Sequence, residues 1–439
     1  MNFHLVSLGC ARNLVDSEVM TGKLREAGCV PVPDPEDADV IVVNTCSFIE
    51  AAANESIDTI LALAAYKQDG ICRRLIVTGC LPERYREDIV AALPEVDVFL
   101  GTGAYDRIIE AVLEDSLHSA CLLPDPDQIV VERSGGPREV STGPAAYIKI
   151  AEGCNRSCTY CIIPKLRGRQ KSRYIEDIVA EAVKLTASGV RELTLVSQDT
   201  TAYGQELDDP ADLAQLLDRL SRIPGDFWVR FLYGHPESIT DAIIQTVADH
   251  SRICPYFDIP IQHAADIVLK RMGRHYKKED MIRLFGNIRA AVPDASLRTT
   301  VIVGFPGETN EDFETLLSFI KEVRFDHLGV FVYSDADDLP SHHVPNPVPA
   351  ALAKRRYNQL MAAQKKISAA NNRTHQGKIF PVLIESAPEK GVYMGRTRFQ
   401  APEVDGVTII HADRLEIGDI VRVRITDTLE YDLIGVPYD

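Results

Sequence analysis

Short apolar strands alternate with amphipathic helical stretches along most of this 439-residue chain. In the N-terminal third, four runs have the composition of strands: residues 3–8, 40–43, 75–77 and 96–100. Stretches with helical spacing, such as 56–66 and 83–93, lie between them. This alternation predicts an α/β domain in which helices cover the faces of a parallel sheet.

The middle of the chain repeats the alternation after an irregular segment. Prolines and glycines cluster between residues 116 and 144, which predicts a linker over residues 117–143. Six further runs have the composition of strands: residues 147–150, 193–196, 229–232, 257–259, 300–303 and 328–332. Six strands in about two hundred residues predict a partial (β/α)6 barrel, whose chemistry should lie at the C-terminal ends of the strands.

The C-terminal part changes character. A helix-prone stretch over residues 350–370 precedes short strands rich in Val, Ile and Thr at 381–385, 406–410 and 420–425. Such strands are typical of a small antiparallel β-barrel. We therefore predict an N-terminal domain over 1–116, the linker, a core domain over 144–372 and a β-barrel domain over 373–439.

Composition limits the cellular setting and the partners. We find no apolar run long enough to span a bilayer and no signal peptide at the start, so we expect a cytoplasmic protein with no membrane partner. Ten cysteines in a reducing compartment favour metal or redox chemistry over disulfides. A formal charge of −17 disfavours a nucleic-acid partner unless basic residues concentrate on one face.

Three cysteines in the middle domain have the spacing C-x3-C-x2-C. Cys154, Cys158 and Cys161 follow the first predicted barrel strand on one short loop. Structural zinc sites need four ligands, whereas a cubane iron–sulfur cluster held by three thiolates keeps one open iron. That iron can bind the amino and carboxylate groups of S-adenosylmethionine, and one electron from the cluster then releases a 5′-deoxyadenosyl radical. Three buried cysteines or a redox pair are the alternative.

The triplet, its position after the strand and the aromatic Tyr160 resemble the radical S-adenosylmethionine superfamily. The resemblance implies that Tyr160 lies against the adenine and that the strand ending at Gly304 contacts the cofactor. Ser197 and Gln198 end the second barrel strand and could reach the methionine amino group. Capping of the following turn is the alternative role for these two polar residues. We assign no side chain as a catalytic acid or base.

Three more cysteines each follow a predicted strand of the N-terminal domain. Cys10, Cys46 and Cys80 end the tripeptides LGC, NTC and TGC, at separations of one strand–helix–strand unit. In a parallel sheet these strand ends lie at one edge, where ligands of open α/β folds bind. The three thiols are therefore predicted to converge on a second cubane cluster with one open iron. The alternative is that each cysteine packs under its own loop.

Together, the two triads and the small barrel resemble the methylthiotransferase family over the whole chain. The resemblance implies two [4Fe-4S] clusters, S-adenosylmethionine as both methyl donor and radical source, and a C-terminal TRAM domain that helps to bind the substrate. The opening SLGCARNLVDSE, the segment DIPIQHA at 258–264 and the segment GRTRFQAPEVDG at 395–406 resemble the branch that modifies a ribosomal protein.

For that branch, the implied reaction adds a methylthio group to the β-carbon of an aspartate in the twelfth protein of the small ribosomal subunit. The implied partners are that protein or the assembled subunit, and a one-electron reductant such as a flavodoxin. Residues 374–439 carry eleven acidic and seven basic residues, which favours a basic protein over RNA. A tRNA adenosine is the alternative substrate, and a non-catalytic iron–sulfur carrier is the alternative protein class.

Overall fold

A six-stranded parallel sheet forms the N-terminal part of the chain. The computed structural model describes residues 1–114, 120–128, 136–141 and 143–438. The strands of this sheet are β1 Asn2–Ser7, β2 Val30–Pro31, β3 Val40–Thr45, β4 Arg74–Gly79, β5 Val98–Leu100 and β6 Ala120–Leu122. They lie side by side in the order β2-β1-β3-β4-β5-β6, and every pair is parallel. The predicted α/β architecture of this region is therefore confirmed.

Helices cover both faces of that sheet. They are α1 Ala11–Glu26, α2 Glu50–Ala64, α3 Tyr66–Asp69, α4 Cys80–Tyr85, α5 Asp88–Ala92 and α6 Ile108–Leu113. Val42 belongs to an apolar cluster with residues of α1 and α6, whereas its neighbour Val43 belongs to a different cluster with residues of α2. Because consecutive strand residues point to opposite faces, a strand buried on both sides needs apolar residues at successive positions, as Val40, Ile41, Val42 and Val43 of β3 provide.

Two local differences from the sequence prediction occur here. The predicted helix over 83–93 is two short helices, because Arg86 between them adopts a positive φ of 52° that ends α4. The predicted linker contains β6, which pairs in parallel with β5 and extends the sheet to Leu122. The remainder of the predicted linker lies partly outside the described residues.

The middle part forms the predicted partial barrel. Its strands are β7 Ala145–Lys149, β8 Ala151–Glu152, β9 Lys171–Ser172, β10 Glu192–Val196, β11 Trp228–Phe231, β12 Tyr256–Asp258, β13 Ser296–Val303 and β14 His327–Val332. Strands β7, β10 and β11 form one parallel sheet, and β12, β13 and β14 form a second. A parallel bridge between Val229 and Ile253 joins the two sheets, so six strands follow one another around the barrel. Strands β8 and β9 form a separate antiparallel pair.

Helices surround these strands. They are α7 Ile163–Arg167, α8 Ile175–Ala187, α9 Leu213–Ser221, α10 Asp241–Asp249, α11 Asp266–Arg271, α12 Lys278–Ala291, α13 Asn310–Val323 and α14 Ala350–Arg373. The 24-residue α14 packs along β14 and leads to the C-terminal domain. Within the described residues, no helix combines the length and the apolar composition that crossing a bilayer requires.

The C-terminal part is a closed five-stranded barrel. Its strands are β15 Ile379–Glu389, β16 Val392–Thr397, β17 Thr408–His411, β18 Ile420–Thr428 and β19 Leu433–Pro437. The barrel closes in the order β15-β16-β17-β19-β18. Four adjacent pairs are antiparallel, as predicted, but β17 and β19 run parallel because the longer β18 intervenes between them in the sequence. The predicted small barrel is confirmed, with this one parallel pair as a correction.

This small barrel packs against the N-terminal ends of the core strands. Glu192, the first residue of β10, accepts hydrogen bonds from Arg230 Nε at 2.7 Å and from Arg396 Nη1 of the small barrel at 2.9 Å. Tyr256, the first residue of β12, donates from its hydroxyl to Asp405 Oδ2 at 2.6 Å. The small barrel therefore closes the end of the core barrel that lies opposite the predicted catalytic end.

One apolar cluster contains side chains from all three parts. Ala11 and Val15 of α1 belong to it, as do Trp228 of the core barrel and Leu383 and Ala401 of the C-terminal part. Burial of such a shared cluster stabilises the contacts between domains at roughly 25 cal/mol for each Å² of apolar surface removed from water. The three parts therefore form one packed unit.

We predict that Glu192→Ala destabilises the protein by about 3–5 kcal/mol, because it leaves buried guanidinium groups without their carboxylate. The Glu192 and Arg230 side chains are 0% exposed. Thermal or chemical denaturation measures the change. Glu416→Ala is the control. The Glu416 side chain is 66% exposed and that of its partner Arg414 is 83% exposed, so this substitution should hardly change the melting temperature. Equal losses in the two variants would contradict the interpretation.

Candidate active site

The three N-terminal cysteines lie at one edge of the first sheet. Cys10 precedes α1, Cys46 follows β3 and Cys80 begins α4 directly after β4. Strands β1, β3 and β4 are hydrogen-bonded neighbours, so their C-terminal ends lie side by side. Gly9 has a φ of +96°, and a Cβ on it would lie 2.8 Å from the Cys46 Cβ. The absence of a side chain at Gly9 thus allows the first two cysteine loops to touch.

Electrostatics distinguish the three thiols. Burial raises the pKa of the Cys80 thiol to about 11 and also raises the pKa of Cys46. Burial acts on Cys10 in the same direction, but the nearby Arg12 and Arg167 guanidinium groups more than offset it, so the pKa of Cys10 is lowered. Positive charge beside the triad favours thiolates, the form in which cysteine binds metal.

The second triad lies on the loop between β8 and α7. Thr159 in this loop donates from its backbone N–H to the Met272 carbonyl at 3.1 Å and accepts from the Ser341 N–H at 2.9 Å. Gly273 has a φ of +75°, and a Cβ on it would lie 2.6 Å from the Ser157 carbonyl oxygen. Burial raises the pKa of Cys154 and raises that of Cys161 to about 12. The loop is therefore held in place by backbone contacts around its thiols.

All ten cysteines are free thiols. In the described part of the chain, no three His, Cys, Asp or Glu side chains lie close enough to share one metal ion. Neither triad is thus arranged as a closed single-ion site. Of the four remaining cysteines, Cys29, Cys72 and Cys254 are buried within apolar clusters, and Cys121 packs against the edge of one.

Tyr160 packs beside the second triad against Met272 and Phe305. Its hydroxyl accepts hydrogen bonds from Arg274 Nε at 3.1 Å and Nη2 at 2.6 Å. The remaining nitrogen of that guanidinium, Nη1, is buried without a hydrogen-bond partner in the described structure. A buried charged donor without a partner is costly, so Arg274 is suited to an anionic group placed beside this loop.

Ser197 and Gln198 follow the C-terminal end of β10 and have different surroundings. Ser197 is buried and hydrogen-bonded to Thr200, and its carbonyl accepts from Arg12 Nη1 at 2.8 Å. Gln198 Nε2 donates to Glu152 Oε1 at 2.8 Å, whereas Gln198 Oε1 is buried without a partner among the described residues. Ser197 therefore makes a structural contact between domains, and Gln198 offers a free acceptor at the strand end.

Gly304 directly follows β13 and has a φ of +78°. A Cβ at this position would lie 2.5 Å from the Cβ of Ala353 in α14, and the Gly304 N–H donates to the buried Glu308 carboxylate. The glycine therefore has a packing role that its sequence position did not predict. Its predicted contact with a cofactor stays a prediction.

A buried charge network joins the first triad to Glu152 and Arg167, which flank the loop of the second triad. Arg167 at the end of α7 donates to Asn13 Oδ1 at 2.5 Å and lies 3.8 Å from the Cys80 sulfur. The same guanidinium donates to both oxygens of Glu152, at 3.0 and 3.1 Å, and to Asp16. Burial disfavours the ionised form of Glu152, but Arg167 and Lys149 outweigh it, so the Glu152 pKa is lowered. This network fixes one triad relative to the other.

Most of this network was not predicted from the sequence. Asn13 and Asp16 lie in the opening segment SLGCARNLVDSE, where their polar pattern on α1 is the one local signal that points to them. Arg167 and Arg274 occur in ordinary basic segments and gave no such signal. Their roles arise from contacts between residues more than a hundred positions apart.

Three family descriptions match successive parts of the chain. "Uncharacterized protein family UPF0004" matches residues 2–101, "Radical SAM superfamily" matches residues 148–320 and "TRAM domain" matches residues 377–437. The second match includes the Cys154 triad, and the third covers the closed barrel.

Curated relatives match over nearly the whole length. A protein of Desulfosudis oleivorans named "Ribosomal protein uS12 methylthiotransferase RimO" is 54% identical over 437 residues, which are 99% of each chain. Proteins with the same name from Clostridioides difficile and Geobacter sulfurreducens are 48% and 47% identical, over 98% of this chain and 97% of each relative.

Two solved structures share the fold at low sequence identity. The radical S-adenosylmethionine methyltransferase TsrM from Kitasatospora setae has a TM-score of 0.60 at 14% identity, over 83% of this chain and 89% of that one. The cobalamin-dependent S-adenosylmethionine radical enzyme OxsB has a TM-score of 0.51 at 13% identity, over 83% of this chain and 56% of that one. These likenesses concern the arrangement of the backbone.

We predict that Gly273→Ala loosens the Cys154 loop, because the new Cβ would collide with the Ser157 carbonyl. Amide hydrogen exchange over residues 154–161 should become roughly tenfold faster. Gly189→Ala is the matched control, since Gly189 has a φ of +104° but nothing within 4 Å of a new Cβ. It imposes similar backbone strain without the collision. Unchanged exchange in Gly273→Ala, or the same change in both variants, would contradict the prediction.

Proposed function

The chain belongs to the family of ribosomal protein uS12 methylthiotransferases, and we propose that it adds a methylthio group to the β-carbon of an aspartate in uS12. The radical S-adenosylmethionine domain and the full-length relatives make it a transferase of a sulfur-containing group. The observation that carries the proposal is the pair of cysteine triads, one in each domain, joined by the Arg167 network.

We propose that each triad holds one [4Fe-4S] cluster. Each offers three free thiols, and the sequence segments that carry them contain no further cysteine, which suits a cluster with one open iron. When bound, the cluster at Cys154, Cys158 and Cys161 would cleave S-adenosylmethionine to supply the radical, and that at Cys10, Cys46 and Cys80 would carry the sulfur.

Residues beside the second triad fit S-adenosylmethionine. The unpartnered Gln198 Oε1 could accept a hydrogen bond from the methionine amino group, and the unpartnered Arg274 Nη1 could donate to its carboxylate. Tyr160 lies in the loop of the second triad and has an aromatic side chain, and we propose that this side chain contacts the adenine. Ser197 and Gly304 shape the walls of this site through their backbone contacts.

The residues of the chain hold and orient the reactants in this proposal. A β-carbon C–H bond is too unreactive for ordinary acid–base groups, which is why a cofactor must supply the radical. The buried pairs of Arg167 with Asp16 and Glu152 keep the two cofactor sites at a fixed separation. No side chain is assigned as a general acid or base.

The proposed partners follow from the family and from charge. The relatives' name specifies uS12, and a chain with a formal charge of −17 is complementary to a basic ribosomal protein. We further propose that a one-electron reductant such as a flavodoxin supplies the electrons. Because the substrate is a ribosomal protein, we propose that the enzyme acts in the cytoplasm.

Iron content tests the number of clusters. Anaerobically reconstituted protein should contain about eight iron atoms per chain, since each cubane holds about four. Cys46→Ala and Cys158→Ala should each retain about four, and the double variant almost none. Cys29→Ala, which removes a buried cysteine outside both triads, is the control and should retain the full content. Complete iron loss in one single variant, or none in either, would contradict two separate clusters.

Substrate identity is tested by supplying uS12 and tRNA in parallel to the reconstituted enzyme with reductant and S-adenosylmethionine. Mass spectrometry should show replacement of one hydrogen by a methylthio group on the uS12 aspartate and none on tRNA. Formation of 5′-deoxyadenosine is measured in the same reactions. Its absence would overturn the radical mechanism, and modification of tRNA alone would overturn the choice of substrate.

A further inference from the structure

Arg12 has no carboxylate partner among the residues that the structure describes. Arg156 pairs with Asp199 at 2.8 Å and Arg167 with Glu152 at 3.0 Å. In contrast, Arg12 donates from Nη1 to the Ser197 carbonyl at 2.8 Å and lies 4.8 Å from the centre of the Tyr233 ring. Its Nε and Nη2 donate to no group in the described structure. A partly buried guanidinium of this kind is suited to an anion from outside the chain.

The position of Arg12 places such an anion between the two triads. Arg12 lies two residues after Cys10, in the first turn of α1. The carbonyl that it contacts follows the C-terminal end of β10, and Tyr233 follows the C-terminal end of β11. The guanidinium therefore extends from the sulfur-carrying site of the proposed enzyme to the radical-forming end of the core barrel.

The backbone around this position is strained. Tyr233 and Gln262 follow adjacent barrel strands with positive φ values of 62° and 65°. Bulky residues rarely adopt this conformation, and such strain concentrates at functional sites. The Tyr233 N–H donates to Asp258 Oδ2 at 2.9 Å, which holds the residue that stacks on Arg12. The chain thus fixes the guanidinium from one side.

We infer that Arg12 binds the side-chain carboxylate of the substrate aspartate. This inference rests on the proposed function and deepens it by naming a specificity-determining residue. A guanidinium presents two parallel N–H donors that match the two oxygens of a carboxylate. No group in the cofactor proposal uses Arg12, since Gln198 and Arg274 are assigned to the methionine end of S-adenosylmethionine.

Anchoring the carboxylate positions the reacting atom directly. In aspartate the carboxylate carbon is bonded directly to the β-carbon. A bound carboxylate therefore fixes the β-carbon at about 1.5 Å from the carboxylate carbon, an ordinary carbon–carbon bond length. Glutamate would place one more methylene between the anchor and the backbone, and asparagine would remove the charge that Arg12 compensates. Arg12 thereby selects aspartate and presents its β-carbon between the two cofactor sites.

Binding measurements on the reconstituted enzyme test this assignment. The ligands are full-length uS12 and its variant with asparagine at the target position, each with S-adenosylmethionine under anaerobic conditions. The wild-type enzyme should bind the aspartate form at least about tenfold more tightly, as expected for loss of one partner of a desolvated charge pair. In Arg12→Met, the ratio of the two dissociation constants should fall to about one.

Arg84→Met is the matched control. Arg84 also follows a cysteine of the N-terminal triad and contacts the core domain, but it has its own carboxylate partner, Asp338, at 2.8 Å. Its removal should leave the ratio for the two uS12 forms unchanged. If Arg12→Met does not fold, Arg12→Lys provides the same test, because a point charge without the planar fork should lower the ratio to about threefold.

The outcomes separate this inference from the proposed function. A wild-type ratio near one, or a wild-type ratio retained in Arg12→Met or in Arg12→Lys, would overturn the role of Arg12. That result would leave the function intact if the wild-type enzyme still methylthiolates uS12. Absence of both 5′-deoxyadenosine and the methylthio product in the wild-type enzyme would overturn the function itself.

Discussion

The buried ion network around Arg167 is the interaction on which the arrangement of the site depends. Its side chain is 2% exposed, and it contacts Asp16 of the first domain and Glu152 of the core domain. Ions removed from water need nearly every partner in place, since loss of one leaves an uncompensated charge. The two domains therefore have one favourable relative position. In that position Cys80 and the core strand ends belong to one site.

In the proposed enzyme, neither domain alone contains a complete site. The first sheet contributes three thiols and the positive side chain of Arg12, and the core barrel contributes the other thiols, Glu152 and Gln198. The shared apolar cluster around Trp228 supplies the nonspecific part of the association, whereas the ion network fixes its geometry. This division matches the proposed chemistry, in which a radical formed in one domain acts on a carbon that receives sulfur from the other.

Local sequence patterns were sufficient to predict most of the architecture. Each cysteine of the first triad follows an apolar strand, and the edge geometry of a parallel sheet is general, so their convergence followed from spacing alone. The assignment of the six cysteines as ligands, and of Tyr160, Ser197, Gln198 and Gly304 as cofactor contacts, stays a prediction.

Long-range pairing could not be predicted in the same way. The strand β6 is only three residues long, and its role depends on a hydrogen-bonded partner rather than on its own composition. The parallel pairing of β17 and β19 depends on the closure of the whole small barrel. Arg167 and Arg12 act across separations of more than 150 residues, and no local pattern distinguishes them from surface arginines.

The attachment of the small barrel to the N-terminal ends of the core strands separates two kinds of recognition. A strand of five to eight residues, such as β10 or β13, spans roughly 17–26 Å. The small barrel, with its excess of acidic residues, thus lies about one strand length from the proposed site of the substrate aspartate. A ligand that touches both ends must itself extend over that distance.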